Sequence, residues 1–290
     1  MLATLKEVLE KAEQGNYAVG AFNCTSLESG MAIVEAAEEL NSPVILQYSD
    51  SHRHLISIDV IGPIMLQLAK IAKVPVVVHL DHGASIESCR HAVDMGFTSV
   101  MYDASAKPFE DNVAETKSVV EYAHERGASV EAELGHILTS KAGAAEGNGK
   151  SYTREEAYTD PEMAKEFIER TNVDALAIGF GTAHGIYTEK PVLDLNRIAL
   201  IKSAKNIPYV MHGGSGLSEE EYRTAIHNGI RKINYYTYLS LAGGRGVMQY
   251  LEDKKDKDAI YFEDIAKAGI TAMKADVKRA MKIFESDGKI

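Results

Sequence analysis

Short runs of apolar and β-branched residues alternate with stretches of helical periodicity along most of the 290-residue chain. Several of these runs are almost continuously apolar, which is typical of parallel strands buried on both faces. Eight such strand–helix units in one unbroken series predict an α/β protein with a closed (β/α)8 TIM barrel. A doubly wound sheet, the alternative, needs fewer strands. The predicted strands are residues 18–22, 43–48, 75–80, 99–102, 128–131, 175–180, 208–211 and 232–235.

Helical patterns fill the segments between these strands, and another begins the chain at residues 1–15. The chain ends in a long helical pattern, residues 262–284, with an interruption expected near Gly269 because glycine weakens helices. No interdomain linker is visible, so residues 1–290 are predicted to form a single barrel domain with an additional C-terminal helix. The helices predicted between strands are residues 27–40, 61–71, 85–95, 112–126, 161–170, 195–204 and 218–228.

The formal net charge of −11 restricts the partners that the protein can have. Nucleic acids and membrane surfaces require a basic face, so we expect neither as a partner. A phosphorylated substrate stays possible, because backbone N–H groups at helix N-termini bind phosphate without side-chain charge.

The cysteine content and the absence of apolar segments predict a cytoplasmic protein. Cys24 and Cys89 are far apart and form no CxxC pair, so we expect two free thiols in a reducing compartment. Residues 1–15 lack the apolar core of a signal peptide. No run approaches the ~20 apolar residues of a transmembrane helix.

Three histidines, His82, His184 and His212, each follow a strand-like run and precede a glycine. Residues at the C-terminal ends of barrel strands converge on one mouth. A single histidine at a strand end is more often structural, but three of them beside carboxylates favour a metal site. Three imidazoles with an open fourth position form a catalytic zinc site. The sequence therefore predicts a metal-dependent enzyme.

Acidic and amide side chains accompany the histidines at neighbouring strand ends. Asp81 ends the third predicted strand and is a candidate acid or base. Asp103 follows the fourth strand, Glu131 and Glu133 end the fifth, and Asn234 lies in the eighth. These positions place several polar groups at the same mouth of the barrel.

A glycine-rich turn, Gly213-Gly214-Ser215-Gly216, follows the seventh strand. It leads into a helix whose start has a capping-box pattern, Ser218 with Glu221. Loops after strands seven and eight often form the phosphate site of such barrels. Glycine also simply permits tight turns, but at this location the turn predicts phosphate binding.

Five blocks of the sequence form a set that is much more specific than any one motif. They are His79-Leu80-Asp81-His82-Gly83, Gly96-Phe97-Thr98-Ser99-Val100-Met101, Val130-Glu131-Ala132-Glu133-Leu134-Gly135, Gly181-Thr182-Ala183-His184-Gly185 and His212-Gly213-Gly214-Ser215-Gly216. With them, the chain resembles the class II, metal-dependent ketose-bisphosphate aldolases, which include fructose- and tagatose-bisphosphate aldolases. The resemblance extends from Ala21-Phe22-Asn23 to the C-terminal helix.

The resemblance implies a zinc site and a proton-transfer residue. His82, His184 and His212 match the ligands of the catalytic Zn²⁺, and Glu133 matches an acidic position near the metal. Asp81 matches the residue that takes and returns the proton of the substrate's C4 hydroxyl. Cleavage beside a ketone leaves an enediolate, whose charge Zn²⁺ stabilises as a Lewis acid. The implied activity is reversible cleavage of a phosphorylated ketose into dihydroxyacetone phosphate and an aldehyde.

The resemblance also assigns three groups of residues around the substrate. The first group binds the phosphate end or a nearby monovalent cation, Na⁺ or K⁺. The second contacts the dihydroxyacetone phosphate half, and the third lies near the substrate. In that order the groups are Gly185, Gly213 and Ser215; Asn234 and Thr237; and Asn23 and Ser49.

The family also has a loop glutamate that moves the C3 proton. Residues 139–158 form a long glycine-rich insertion, which we expect to be an active-site loop. The usual Gly-Gly at its start is replaced by Leu138-Thr139, and ungapped counting places Lys141 at the glutamate position. Glu146 is the best counterpart as a catalytic base, and the alternative is a solvated loop carboxylate.

Two further departures from the family pattern bear on the substrate. Tyr235-Tyr236 replaces the usual small pair after strand eight and is expected to crowd the phosphate loop. Arg53, in an unusual segment, is either a contact for a second anionic group or an ordinary surface arginine.

Two other functions stay open at this point. One is a zinc-dependent hydrolase on the same barrel, using metal-bound hydroxide, for which the phosphate-type loops have no obvious use. The other is a metal-binding barrel without catalysis. Proton exchange into dihydroxyacetone phosphate without an aldehyde separates them from an aldolase. The expected partner is a small phosphorylated sugar, and the resemblance implies a homo-oligomer, a dimer or larger.

Overall fold

The computed structural model describes residues 1–139, 157–187, 189–255 and 259–290. Eight parallel strands form a closed barrel in which each strand pairs with its neighbours in sequence, and β8 pairs with β1. The predicted α/β barrel is therefore confirmed. The strands are β1 Val19–Asn23, β2 Val44–Ser49, β3 Val76–Gly83, β4 Ser99–Tyr102, β5 Ser129–Leu134, β6 Ala175–Ile178, β7 Tyr209–Met211 and β8 Ile230–Tyr235.

Ten α-helices occur in the described residues, and the predicted helices correspond to them within a few residues at each end. Several begin at a side-chain cap, and the predicted capping box of Ser218 and Glu221 is present. The helices are α1 Leu5–Gly15, α2 Leu27–Leu40, α3 Ile58–Ile71, α4 Ile86–Met95, α5 Phe109–His124, α6 Pro161–Thr171, α7 Leu195–Ala204, α8 Glu219–Asn228, α9 Thr237–Asp253 and α10 Phe262–Ile283.

Helix α1 closes the N-terminal end of the barrel. Its apolar face is buried with a layer of small and β-branched strand residues, separate from the core that the outer helices cover. The two cores follow from the strand alternation, because Val76 and Val78 pack outward whereas Val77 packs inward. The inner layer consists of Val19, Ala21, Ile45, Val77, Ala175, Ala177 and Val210.

The C-terminal helices differ from the prediction in two respects. Helix α9 was not predicted, because Gly243, Gly244 and Gly246 oppose helix formation. The expected interruption near Gly269 is wrong, since α10 is continuous through it. Close packing of α9 on α10 explains both differences. A Cβ at Gly246 would lie 2.4 Å from the Cβ of Ala272 on α10, so glycine lets the two helices approach each other. Helix α10 also packs on α2 and is the additional C-terminal helix.

Within the four described ranges, no helix combines the length and the apolar character that crossing a membrane requires.

Candidate active site

The end of β3 presents two consecutive polar residues, Asp81 and His82, to one site. In a regular strand, neighbouring side chains point to opposite faces. Here the register between β3 and β4 shifts between Leu80 and Gly83, and His82 has a φ of 46°. A bulge redirects side chains, and a positive φ is unusual for histidine. The local irregularity therefore gives both residues access to the mouth of the barrel.

The structure brings the three predicted histidines together. His82 comes from β3, His184 from a short strand (Ala183–His184) that pairs with Leu138–Thr139, and His212 directly follows β7. The ring of His82 lies 5.3 Å from that of His184 and 4.7 Å from that of His212, between centroids. One nitrogen from each of the three lies within 4.8 Å of the others. The cluster has the composition of a three-histidine metal site.

Two carboxylates set the orientation of two of these rings. Asp103 Oδ2 lies 2.8 Å from His82 Nδ1, and Glu131 Oε1 lies 2.9 Å from His212 Nε2. A carboxylate accepts a hydrogen bond from the N–H of the ring nitrogen that it contacts, so in the neutral ring the other nitrogen carries the lone pair. The remaining nitrogens, His82 Nε2 and His212 Nδ1, face each other 3.0 Å apart.

Two facing lone pairs need a cation or a shared proton between them. Zinc with N ligands at about 2.0–2.1 Å in tetrahedral geometry separates neighbouring nitrogens by roughly 3.4 Å, close to the 3.0 Å between His82 Nε2 and His212 Nδ1. The residues present therefore fit a zinc ion.

The pKa values of His82 and His212 shift in opposite directions. Burial alone would lower the pKa of His82, but the charges of Asp81 and Asp103 outweigh it and raise the pKa well above 6.5. Burial and the positive charges of His82 and Lys232 lower the pKa of His212 well below 6.5. A metal cation between the facing nitrogens would compete with a proton for their lone pairs.

Glu133 lies directly beside this cluster. Its Oε2 is 3.6 Å from His212 Nδ1 and accepts no hydrogen bond from the described residues. Burial, with repulsion from Asp103, raises the pKa of Glu133 well above 4.5. Glu133, His82 and Asp103 form a second group with the spacing of metal ligands. A cation at the cluster would favour the ionised form of Glu133.

Amide side chains hold the carboxylate of Asp81, which is buried. Asn234 Nδ2 donates to Asp81 Oδ1 at 2.9 Å, and Gln47 Nε2 lies 3.3 Å from Asp81 Oδ2. Gln47 Nε2 also donates to Asn23 Oδ1 at 2.8 Å. These amides fix the orientation of the Asp81 carboxylate, which leaves it placed at the cavity as a candidate acid or base.

A cavity of about 480 Å³ lies at this mouth of the barrel. It has the size of a small-molecule site. Eight of the predicted site residues line it: Asn23, Asp81, His184, Gly185, Gly213, Ser215, Asn234 and Thr237.

One side of the cavity is suited to an anion. Helix α9 begins at Thr237, and its N-cap residue, Tyr236, makes no side-chain hydrogen bond to the first turn in the described part of the chain. The first N–H groups of a helix lack intrahelical acceptors and attract anions. Gly213 approaches the opposite backbone so closely that a Cβ would lie 2.5 Å from the Ala183 oxygen. The first N–H groups of α9 are therefore the feature of this side that suits an anion.

Tyr187 joins the two loops that flank the anion side. Its hydroxyl accepts from the Ala183 N–H and donates to the Gly213 oxygen, each at 2.8 Å. Burial raises the pKa of Tyr187 to about 12, so the hydroxyl stays protonated and can donate. The loop that carries His184 is thereby fixed against the glycine-rich turn.

Four further sequence expectations concern Glu146, Ser49, Arg53 and the tyrosine pair. Glu146 lies outside the described residues. Ser49 is buried behind the cavity, and its hydroxyl contacts that of Ser51 at 2.8 Å. Arg53 is exposed and pairs with Asp50 at 3.1 Å, as a surface arginine. Of the tyrosine pair, Tyr235 packs its ring against Phe22 and Phe284, whereas the Tyr236 ring contacts that of His52 at a tilt of 59°, with centroids 4.6 Å apart.

Sequence reasoning missed three polar residues that organise the site: Gln47, Tyr187 and Lys232. Gln47 and Lys232 lie within strands and are fully buried. A polar residue at an inward-facing position of a predicted barrel strand was the available signal. Tyr187 follows the His184-Gly185 motif and had no comparable signal.

Comparison with known proteins agrees with this geometry. The profile of the family "Fructose-bisphosphate aldolase class-II" matches residues 3–289. The fructose-bisphosphate aldolase of Geobacillus stearothermophilus is 42% identical over 291 residues, covering 99% of this chain and 98% of that protein. That of Staphylococcus aureus is 41% identical over 261 residues, covering 88% of each.

A solved structure extends the likeness to three dimensions. The crystal structure of the YdjI aldolase from Escherichia coli K12 matches with a TM-score of 0.85 and 35% identity, covering 100% of this chain and 99% of that one. With the family profile matched from residue 3 to residue 289, the chain belongs to the class-II fructose-bisphosphate aldolase family.

Proposed function

We propose that the protein is a zinc-dependent aldolase that reversibly cleaves a phosphorylated ketose into dihydroxyacetone phosphate and an aldehyde. The observation that carries this proposal is the pair of facing nitrogens, His82 Nε2 and His212 Nδ1, 3.0 Å apart in a cluster with His184. Asp81 lines the same cavity as His184. Membership of the aldolase family supports the same reaction class.

His82, His184 and His212 would hold the ion, with Glu133 as the neighbouring acidic residue. This donor set of three imidazoles suits zinc and leaves an open position. Once bound, zinc stabilises the negative charge that develops at the ketone oxygen when the C3–C4 bond breaks.

Asp81 is the residue assigned to the C4 hydroxyl. It accepts that proton as the bond breaks and returns it in the direction of synthesis. The hydrogen bond from Asn234 fixes the carboxylate in one orientation during the transfer. Glu146 is the proposed second base, which moves the C3 proton.

The anion side of the cavity is assigned to the phosphate of the substrate. Gly185, Gly213, Ser215 and Thr237 line it, and the start of α9 supplies N–H donors. A monovalent cation, Na⁺ or K⁺, is proposed beside the phosphate. Asn23, at the end of β1, contacts the substrate, and Ser49 supports Ser51, which lines the cavity.

A substrate panel tests this function. Zinc-reconstituted protein is mixed with ketose 1-phosphates and ketose 1,6-bisphosphates, and dihydroxyacetone phosphate is measured in a coupled assay. We expect release that EDTA abolishes and added zinc restores, and the preferred member identifies the aldehyde half. Absence of release from every member by protein that carries zinc would contradict the proposal and favour the hydrolase or the non-catalytic barrel.

We also propose a cytoplasmic location and a homo-oligomeric state. Cys24 and Cys89 are buried free thiols, which suits a reducing compartment. Helix α9 and the start of α10 expose apolar side chains, including Met248 at 71% and Phe262 at 78%. Light scattering coupled to size-exclusion chromatography measures the state, and a monomer at micromolar concentration would contradict it.

A further inference from the structure

A lysine and a glutamate form an ion pair inside the barrel beneath the site. Lys232 of β8 and Glu131 of β5 are both fully buried, and Lys232 Nζ lies 2.8 Å from Glu131 Oε2. The side chains cross the barrel interior, since β5 and β8 are not adjacent in the sheet. Buried charges are costly unless each is paired and hydrogen-bonded.

The glutamate of this pair contacts the cluster of three histidines. Glu131 Oε1 lies 2.9 Å from His212 Nε2. Glu131 accepts a hydrogen bond from the N–H at that nitrogen and leaves His212 Nδ1 to face His82. Carboxylates in this position orient metal-binding histidines and fix their tautomer.

The lysine of the pair contacts the proton-transfer residue through an amide. Lys232 Nζ donates to Asn234 Oδ1 at 2.7 Å, and Asn234 Nδ2 donates to Asp81 Oδ1 at 2.9 Å. An amide can rotate by half a turn and exchange its oxygen for its nitrogen. Lys232 can contact only the oxygen, so it holds the NH₂ group towards Asp81.

We propose that the Lys232–Glu131 pair is a positioning element that orients both His212 and Asn234, and so couples the metal ligands to Asp81. Neither residue touches the substrate. Loss of either Lys232 or Glu131 therefore disturbs both the histidine cluster and the carboxylate of Asp81. The inference rests on the proposed aldolase function for its kinetic consequence, whereas its consequence for metal affinity is independent of the substrate.

Three variants test the pair: Lys232→Met, Glu131→Gln and the double variant. Zinc affinity is measured by competition with a chromophoric chelator, kcat and KM by release of dihydroxyacetone phosphate, and thermal unfolding in EDTA. We expect each single change to weaken zinc binding and to lower kcat, each by about 10–100-fold, with KM changed much less. Glu131→Gln keeps the side-chain volume and remains informative if Lys232→Met does not fold.

Arg231→Met is the matched control. Arg231 precedes Lys232 in β8, is nearly as buried, and pairs with Glu13 at 2.7 Å at the other end of the barrel. We expect this change to lower the unfolding temperature while zinc affinity and kcat of the folded protein stay at the wild-type values.

The double variant separates positioning from simple charge burial. Removing both charges avoids an unpaired buried ion, so stability should recover relative to Lys232→Met, while zinc affinity and kcat stay low. Recovery of all three quantities, or single variants that bind zinc like the Arg231 control, would overturn the proposal. Wild-type protein that binds zinc but releases no dihydroxyacetone phosphate would refute the proposed function, and zinc affinity would then decide the positioning role.

Discussion

The two ends of the barrel interior contrast in chemistry. At the N-terminal end, α1 packs on an apolar layer that includes Val77, Ala175 and Val210. At the C-terminal end, the same strands β3 and β7 lead to Asp81 and His212. Strand alternation assigns both sets to the interior, so position along the strand separates an apolar, close-packed end from a polar one.

The polar end contains features that a purely structural interior would avoid. His82 has a positive φ, two imidazole nitrogens face each other, and Glu133 is buried without a hydrogen bond to its Oε2 from the described residues. Such features cost free energy and cluster at functional sites. The contrast teaches that the apolar end provides stability, on which the strained polar end depends for its chemistry.

The largest expected effect comes from removing a proposed metal ligand at the polar end. His184→Ala should lower the rate of dihydroxyacetone phosphate release by on the order of 10³-fold or more, because the developing charge loses its stabilisation. Zinc content falls in the same variant, whereas unfolding of the metal-free protein changes little. His227→Ala, a half-exposed helix histidine, is the control. Full activity of His184→Ala would remove this residue from the site.

At the apolar end, Leu9→Ala should affect stability alone. Leu9 is fully buried in the layer under α1, and a cavity at such a site costs about 2–5 kcal/mol in the free energy of unfolding. Urea denaturation measures the loss, and kcat of the folded protein should not change. Leu200→Ala, with an exposed side chain, is the size-matched control. A fall in zinc affinity of Leu9→Ala would break the separation of the two ends.

Acidification should weaken the N-terminal end through Glu13. Burial alone would raise its pKa, but the hydrogen bond from Lys202 and the charge of Arg231 lower it below 4.5. A lowered folded-state pKa contributes stability above the unfolded value, and this contribution is lost as the pH falls through the folded pKa. Glu13→Gln should therefore cost about 1–2 kcal/mol at pH 7.

The difference between Glu13→Gln and the wild type should shrink as the pH falls below 4.5. Urea unfolding of both proteins from pH 7 to pH 3 measures it. A difference that stays constant over this range would show that the carboxylate charge is not what stabilises this end.

The smallest effect is expected beside the proposed phosphate loop. The Ser218 hydroxyl caps α8 and contacts Glu221 Oε2 at 2.7 Å. Ser218→Ala should lower the free energy of unfolding by about 1 kcal/mol and leave KM for the phosphorylated substrate unchanged. Ser203→Ala, outside any N-cap, serves as the control. A large rise in KM would extend the phosphate site into α8.

The barrel could be predicted from sequence because its strands are apolar runs bounded by helical patterns. Ser99–Tyr102 is a case in which the predicted and observed strands coincide. Helix α9 could not be predicted from sequence, since Gly243 and Gly246 are unfavourable in a helix until α10 packs on them. That contact depends on residues distant in sequence, which local propensity does not contain.

The site was predicted in part for a similar reason. His82, His184 and His212 each follow a predicted strand, and barrel topology alone brings strand ends together. Lys232 is different, because its partner Glu131 lies across the barrel. Tautomers and amide orientations likewise depend on contacts such as that of Asp103 with His82, which sequence spacing does not encode.

The most direct test is exchange of the C3 hydrogen of dihydroxyacetone phosphate with deuterium in D₂O, followed by NMR with no aldehyde present. Zinc-loaded protein should catalyse the exchange, and both EDTA treatment and His184→Ala should abolish it. A zinc-dependent hydrolase or a non-catalytic metal barrel would not support it. Absence of exchange by protein shown to carry zinc at the histidine cluster would contradict the aldolase assignment.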